Sequence, residues 1–405
     1  MKRQGDNPHP CPPPVSFLDL GSMNAAVRAE VLEVIGHAID RSSFIGGPLV
    51  ERFEEQWARY CGVSHAVGVA NGTDALILAL RGLGIGPGDE VLVPTNTFVA
   101  TAEAVLAAGA TPVFVDVRDD TLLVDLDDAA TQVGPRTAAV IAVHLYGQPA
   151  DMDAVSAFAR RHGLALVEDA AQAHGATWKG RPAGSFGQAG CFSFYPGKNL
   201  GAFGDAGAIV TDDDGLARLA RSLGDHGRSV GSKHLHVAVG GNSRLDALQA
   251  AVLSAKLRFL DEWTGQRRRV AARYRAGLEG TSVLSVTQAP GSASAFHLHV
   301  VRTSHRDTLV GSLAQRGIST GIHYPVPCHQ QPAFAGYRTR PLPIAEAAAR
   351  EIVSLPLSPS LDDASVDRVC EVIAEVVLEQ GAPASSTRPP ITDPAVNGPS
   401  LERTA

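Results

Sequence analysis

The chain has 405 residues, of which 44% are hydrophobic and 19% charged, and its formal net charge is −7. That composition supplies a large globular core and excludes the broad basic footprint of a nucleic-acid binder. No apolar run reaches the ~18 residues of a membrane span, and the N-terminus "MKRQGDNPHPCPPP" has no apolar signal core.

Five cysteines (Cys11, Cys61, Cys191, Cys328, Cys370) lie far apart. Their odd number argues against a disulfide framework, and no pair has metal-ligand spacing. A reduced cytoplasmic protein without a metal site, a nucleic-acid partner or a membrane partner is expected.

Residues 1–14 are polar and proline-rich, and read as a disordered arm. "HAVGVA" (His65–Ala70) reads as a buried strand, followed by "NGT" and the helical "DALILALRGLG". "DEVLVP" is a second strand, followed by the helical "FVATAEAVLAAG". "TPVFVDV" and "TAAVIAVHLYG" are further strands. "DMDAVSAFARRHG" is a helix, and "LALVED" (Leu164–Asp169) a strand. Short apolar strands separated by helices imply a mostly parallel sheet covered on both faces, hence the α/β class. The glycine-rich "GLGIGPG" (Gly82–Gly88) follows a helix and precedes a strand. That is the reverse of a dinucleotide-binding loop, so it reads as a helix C-cap and turn.

"SRLDALQAAVLSAKLRFLDEWTGQRRRVAARYRAGL" (Ser243–Leu278) reads as one long helical stretch with a bend near Thr264 and Gly265. "AFHLHVVRT" and "GISTGIHYP" look strand-like, and a final helix covers Ala364–Glu379. The expected organisation is a large α/β domain over 15–260 and a smaller α+β domain over 261–380. The Pro/Ser/Thr/Gly-rich 381–405 reads as a disordered tail.

The chemistry concentrates in a few places. In "SFYPGKNLGAFGDAG" (Ser193–Gly207), Lys198 sits among small, aromatic and apolar residues, where its charge is expensive to bury. A desolvated lysine amine is a nucleophile suited to a Schiff base with an aldehyde. Its alternative is a surface-loop lysine. Asp169 ends an apolar strand, where open α/β sheets bind ligands. It reads either as the N-cap of "AAQAHGA" or as an anion facing a cationic ring nitrogen. "NGT" (Asn71–Thr73) joins a strand to a helix N-terminus, which suits a phosphate and equally an ordinary cap. Ser193 precedes Lys198 by five residues, so a turn would bring hydroxyl and amine to one pocket. A lysine Schiff base, an acidic partner for a pyridinium, and a phosphate seat at Thr73 and Ser193 are the parts of a pyridoxal 5'-phosphate (PLP) site.

Eight ordered motifs carry a resemblance. They are "NGTDALILAL", "GDEVLVPTNTFVAT", "GATPVFVDV", "VHLYGQPADMDA", "VEDAAQAHGA", "CFSFYPGKNLGAFGDAGAIVT", "GGNSRLDALQAA" and "GIHYPVPCHQQPAF". Over about residues 15–375 the chain resembles the DegT/DnrJ/EryC1/StrS family of PLP-dependent sugar aminotransferases, a branch of the aspartate-aminotransferase (type I) fold. The resemblance implies that Lys198 carries the cofactor and shuttles the proton, and that Asp169 pairs with the pyridine nitrogen. It also implies that Gln172 lies near the ring hydroxyl, that Phe98 stacks on the ring, and that Gly72, Thr73 and Ser193 bind the phosphate. Tyr195 and His323 would lie near the sugar, the alternative for His323 being a structural histidine.

The family shares its sites across a homodimer, so Asn242 would reach the phosphate in the partner subunit. Asn242 also reads as a helix N-cap. Related sugar dehydratases have histidine in place of Lys198, so the lysine points to transamination. "GTDAL" and "GAFGDAG" look more like the branch that aminates C3 than the one that aminates C4. The expected reaction is glutamate-dependent amination of a nucleotide-linked keto sugar, such as a dTDP-3-keto-6-deoxyhexose, in amino-sugar or antibiotic biosynthesis. A C4-keto sugar, a keto-cyclitol, or a non-catalytic PLP-binding regulator are the alternatives.

Overall fold

A computed structural model describes residues 13–337 and 340–381. The expected disordered arm, apart from Pro13 and Pro14, and the expected tail from residue 382 lie outside the described residues.

Helices α1 (Leu20–Asp40) and α2 (Pro48–Cys61) open the fold. Then β1 (His65–Val69) leads into α3 (Gly72–Gly82), β2 (Glu90–Pro94) into α4 (Ala100–Ala107), and β3 (Thr111–Val115) into α5 (Leu126–Gln132). Next come β4 (Thr137–Val143), α6 (Met152–His162), β5 (Ala165–Asp169), and the short β6 (Thr177–Trp178) and β7 (Arg181–Pro182). The hairpin-like β8 (Ala189–Ser193) and β9 (Gly207–Thr211) precede α7 (Asp214–Gly224), α8 (Ala247–Leu257) and α9 (Leu260–Gly277). The C-terminal part holds β10 (Leu284–Ser285), β11 (Ser292–Ala293), β12 (His299–Arg302), α10 (Arg306–Gln315), α11 (Pro343–Glu351), β13 (Ile352–Leu355) and α12 (Asp363–Gly381).

The central sheet has the order β1-β9-β8-β5-β4-β2-β3. The pairs β2/β3, β2/β4, β4/β5 and β5/β8 are parallel, whereas β9 is antiparallel to both β8 and β1. Six strands therefore run one way and β9 alone runs back. Apolar triplets such as Val91–Leu92–Val93 and Val140–Ile141–Ala142 are fully buried, as a sheet covered on both faces requires. The carboxyl ends of the six strands deliver the residues after β1, β2, β4, β5 and β8 to one edge.

The antiparallel β10-β12-β13 sheet builds a second core with α9, α10 and α12, around Tyr274, Val301, Leu313, Val353 and Ile373. Val15 belongs to this second core, although it stands at the N-terminal end of the chain. Conversely, Phe334, Leu342, Ala345 and Ala348 pack into the core of the large sheet.

Three sequence expectations are corrected here. Residues 243–278 do not form one helix bent at Gly265. The break falls at Arg258 and Phe259, between α8 and α9. Ala250 and Leu253 of α8 pack in one core while Val270, Ala271 and Tyr274 of α9 pack in another, and a straight helix could not serve both. Asn242 is not a helix N-cap. Asp246 occupies that position for α8, and Asn242 instead forms an isolated bridge with Asp225. "GISTGIHYP" is not a strand. Ile318 and Gly321 make single bridges to Val15 and Ser354, because the chain only crosses the sheet edge there. "GLGIGPG" is the expected helix end, with Leu83 N–H donating to Ala79 and Ile85 N–H to Leu80, and with Gly84 and Gly88 at positive φ.

β8 lies so close to the turn after β7 that a Cβ on Gly190 would stand 2.1 Å from the carbonyl oxygen of Gly184 and 2.5 Å from its Cα. Backbone cannot yield as a side-chain tip can. Gly190→Ala is expected to cost at least roughly 1–3 kcal/mol, read as a lower urea midpoint, whereas Gly36→Ala, with nothing within 4 Å, should leave the midpoint at or above wild type.

Candidate active site

A cavity of about 750 Å³ opens at the carboxyl edge of the large sheet. Its walls include Gly72, Thr73, Phe98, Asp169, Gln172, Ser193, Tyr195, Lys198 and His323. Nine residues singled out in the sequence thus meet in one space. Asn242 is exposed and is not among the residues lining this cavity.

Each wall has a local cause. α3 begins at Gly72, directly after β1, and Asn71 Oδ1 accepts from Asp74 N–H at 2.8 Å. Asn71 is therefore an ordinary cap, and the helix N-terminus still faces the cavity. A Cβ on Gly72 would meet Ser193 Cβ at 2.6 Å, and one on Gly207 would meet the Asn71 backbone at 2.4 Å. Only glycine lets α3, β8 and β9 close to this distance. Their junction is a tight seat of backbone N–H and hydroxyl groups at the positive end of a helix, which suits a phosphate.

Asp169 ends β5 and is buried. Its Oδ2 accepts from Thr101 Oγ1 at 2.7 Å, and its Oδ1 from Ala171 N–H at 3.2 Å. The reading of Asp169 as the N-cap of a helix at "AAQAHGA" is overturned. Residues 170–176 form successive turns, with Ala173 N–H donating to Ala170 and Ala176 N–H to Ala173, and Gly175 in the left-handed region.

Lys198 stands in a turn closed by its own N–H donating to Tyr195 at 2.8 Å. Desolvation pulls its amine down to about 8, and the Asp169 charge opposes that pull. At pH 7 about a tenth of the amine is therefore free base, far more than in an ordinary lysine.

Two imidazoles flank the lysine. Burial, reinforced by the Lys198 charge, lowers His323 to about 4 and puts His297 well below the usual histidine range. Both are neutral at pH 7. Asn199 Nδ2 donates to the Ala295 carbonyl, which turns its Oδ1 toward His297 Nδ1 at 3.2 Å. The proton of His297 therefore sits on Nδ1 and leaves Nε2 as an acceptor.

Gln172 is oriented in the same way. Its Oε1 accepts from Tyr146 N–H at 2.7 Å, so its Nε2 is the end that donates, here to Tyr324 Oη at 3.3 Å. Phe98 is half exposed on the cavity wall and lies 5.6 Å from the Tyr324 ring.

Sequence reasoning missed Phe17, Leu18, His297 and Tyr324, all of which line the cavity. Tyr324 adjoins a residue that was found, in "GIHYP". Phe17 has no local signal. It arrives because Val15 N–H donates to Gly317, Ser319 N–H to Val15, and Leu357 N–H to Phe17. Those bonds lay the N-terminal strap over the small sheet and stack Phe17 on His323 at 5.8 Å.

Comparison with known proteins gives one answer. The model of the DegT/DnrJ/EryC1/StrS aminotransferase family matches residues 26–374. A dTDP-3-amino-3,4,6-trideoxy-alpha-D-glucose transaminase from Streptomyces venezuelae is 48% identical over 366 residues, covering 90% of this chain and 96% of the relative. The crystal structure of S. venezuelae DesV in complex with a ketimine intermediate superposes with a TM-score of 0.87 at 48% identity, over 90% of this chain and 98% of that one. NtdA from Bacillus subtilis, with bound cofactor PMP, superposes at 0.84 and 31% identity, over 90% of this chain and 85% of that one.

The depressed amine yields a direct test. In cofactor-free protein, acylation of Lys198 by a small amine reagent, followed by peptide mass analysis, should rise with pH around a midpoint near 8. A midpoint in the ordinary lysine range, about 10.4, would show that the cavity does not desolvate it.

Proposed function

The chain belongs to the DegT/DnrJ/EryC1/StrS aminotransferase family and is a PLP-dependent sugar aminotransferase, and from that premise we propose that it aminates C3 of a dTDP-linked 3-keto-6-deoxyhexose with L-glutamate as donor. The observation that carries the reading is a lysine of lowered basicity opposite a buried carboxylate, in a cavity that also opens onto a helix N-terminus.

The residues present fit the cofactor. Gly72, Thr73 and Ser193 would hold its phosphate in the seat that only glycine permits. Phe98 would cover one face of its ring. Gln172 Nε2, already turned by Tyr146 N–H, would donate to its ring hydroxyl. Asp169 would face its ring nitrogen and hold a proton there. Lys198 Nζ would anchor its carbonyl end. When bound, the cofactor supplies an electron sink that makes the substrate α-proton acidic.

Set free when the substrate's amine takes its place, Lys198 Nζ would take and return that proton, a task for which an amine near the operating pH is suited. Tyr195, half exposed on the wall, and His323, neutral and stacked on Phe17, would contact the sugar. Phe17 and Leu18 line the same cavity.

Asn242 would serve the partner subunit of a homodimer. It is exposed, and it lies beside a segment whose Val230, Leu235, Val237 and Val239 are exposed. A second copy would cover that apolar surface and place one asparagine in each site. The C3 preference is supported by "GTDAL" and "GAFGDAG" and by the name of the 48%-identical relative. The four described cysteines are free and buried, which supports a reducing cytoplasm.

The deciding experiment is a panel of dTDP-linked 3-keto and 4-keto sugars and keto-inositols with glutamate, read by product mass and by the position of the new amine. Amination at C3 of the dTDP sugar is expected. Turnover confined to a 4-keto sugar or a cyclitol overturns the substrate. Lys198→Ala should lower turnover by at least roughly 10²–10⁴-fold, and wild-type turnover in that variant would remove the lysine from its role. Asp169→Ala should slow the reaction severely while retaining some cofactor. Asn242→Ala should weaken cofactor retention in a protein that still sediments as a dimer.

A further inference from the structure

We propose that Thr101, backed by Thr97, is a positioning residue that fixes the Asp169 carboxylate toward the cofactor ring; this rests on the role of Asp169 proposed above. Thr101 lies in the first turn of α4 and is fully buried, and Thr97 and Asp169 are buried with it. Thr101 Oγ1 donates to Asp169 Oδ2 at 2.7 Å, and Thr97 Oγ1 lies 2.8 Å from Thr101 Oγ1. A hydroxyl has a single hydrogen. Thr101 gives its hydrogen to the carboxylate, so the hydrogen between the two threonines comes from Thr97. The result is a directed chain, from Thr97 to Thr101 to Asp169.

These hydroxyls are not helix caps. The N-cap of α4 is Val99, and no side chain caps that helix. They are spent on the carboxylate instead. On its other side, Oδ1 accepts from Ala171 N–H at 3.2 Å. The two oxygens are thus held from two strand ends, one after β2 and one after β5, and the carboxylate cannot turn about its Cβ–Cγ bond without breaking a contact. A hydroxyl donating to a buried carboxylate is among the stronger hydrogen bonds.

The far end of the chain is also tied. Cys328 Sγ donates to the Thr97 carbonyl at 3.4 Å, and Thr95 Oγ1 meets His329 Nδ1 at 2.7 Å. The segment that follows His323 and Tyr324 therefore sets the position of the loop that aims Asp169.

The test uses the holoenzyme of Thr101→Val, Thr101→Ser, Thr97→Val and Asp169→Asn. Valine removes the hydroxyl at nearly constant shape, and serine keeps it. Three quantities are read: retention of pyridoxal 5'-phosphate in equilibrium dialysis, the visible circular dichroism of the bound cofactor, and kcat against KM for glutamate.

Thr101→Val is expected to weaken retention about tenfold, the scale of one lost hydrogen bond to a charged group. It should also alter the dichroism and lower kcat with KM unchanged. Thr101→Ser should restore all three. Thr97→Val, which keeps the direct bond to Asp169, should show a smaller effect of the same sign. In the Asp169→Asn background Thr101→Val should add little, because the two act as a unit.

Wild-type dichroism and retention in Thr101→Val overturn the proposal, and so does a Thr101→Ser as impaired as the valine, which would mean packing alone. If Asp169→Asn itself changes neither signal, the reading of Asp169 falls and this one falls with it. If Asp169→Asn changes them and Thr101→Val does not, only the threonine chain falls.

Discussion

A half-buried lysine amine facing a buried carboxylate within one cavity is the interaction on which the rest of this structure depends. Either group alone would be costly at that depth. Together they divide the cost: desolvation pulls the Lys198 amine down to about 8, and Asp169 prevents it from falling further. The surroundings preserve that balance. Glu168, the residue before Asp169, is fully buried, and its carboxylate accepts from Gly184, Phe186 and Gly187 N–H and meets His144 Nε2 at 2.8 Å. His144 Nδ1 accepts from Ala150 N–H, so its Nε2 carries the proton and the pair is satisfied with a neutral imidazole. The last two residues of β5 therefore have distinct tasks, one binding the neighbouring loop and the other facing the cavity.

The reversal of β9 has a comparable consequence. Had β9 continued the parallel order, the segment after Lys198 would have left the carboxyl edge. Because it runs back against β8, Gly207 returns beside Asn71 and Gly72. Ser193, Lys198 and the start of α3 then share one wall. The antiparallel pairing is a local exception to a parallel sheet, and it occurs where α3, β8 and β9 close on one another at the cavity, the proposed phosphate seat.

Much of this was legible before any coordinates. Strand and helix alternation, the end of α3 at "GLGIGPG", and the meeting of Lys198, Asp169, Ser193 and Thr73 in one cavity rest on short-range patterns, since each is fixed by residues within one strand–turn–helix unit. The misreadings share the opposite property. The break at Phe259 depends on two cores far apart in sequence. The turns after Asp169 depend on what packs around them, and Asn242 gives up a helix cap for a bridge to Asp225. The strap that brings Phe17 to His323 joins residues 15 and 318, a separation at which no periodicity carries information.

The sequence by itself determined the parallel α/β plan, the family and nine of the residues that meet in the cavity, because strand ends and helix starts are encoded in apolar runs, caps and glycines that act over a few residues. Only the tertiary structure decided how those side chains are aimed. It set the proton on Nδ1 of His297, the turn of the Gln172 amide, the hydroxyl chain behind Asp169 and the place of the N-terminal strap on the cavity wall. Each of these is a hydrogen bond or contact between elements distant in the chain, and its direction is fixed by which partner remains available once the fold has closed.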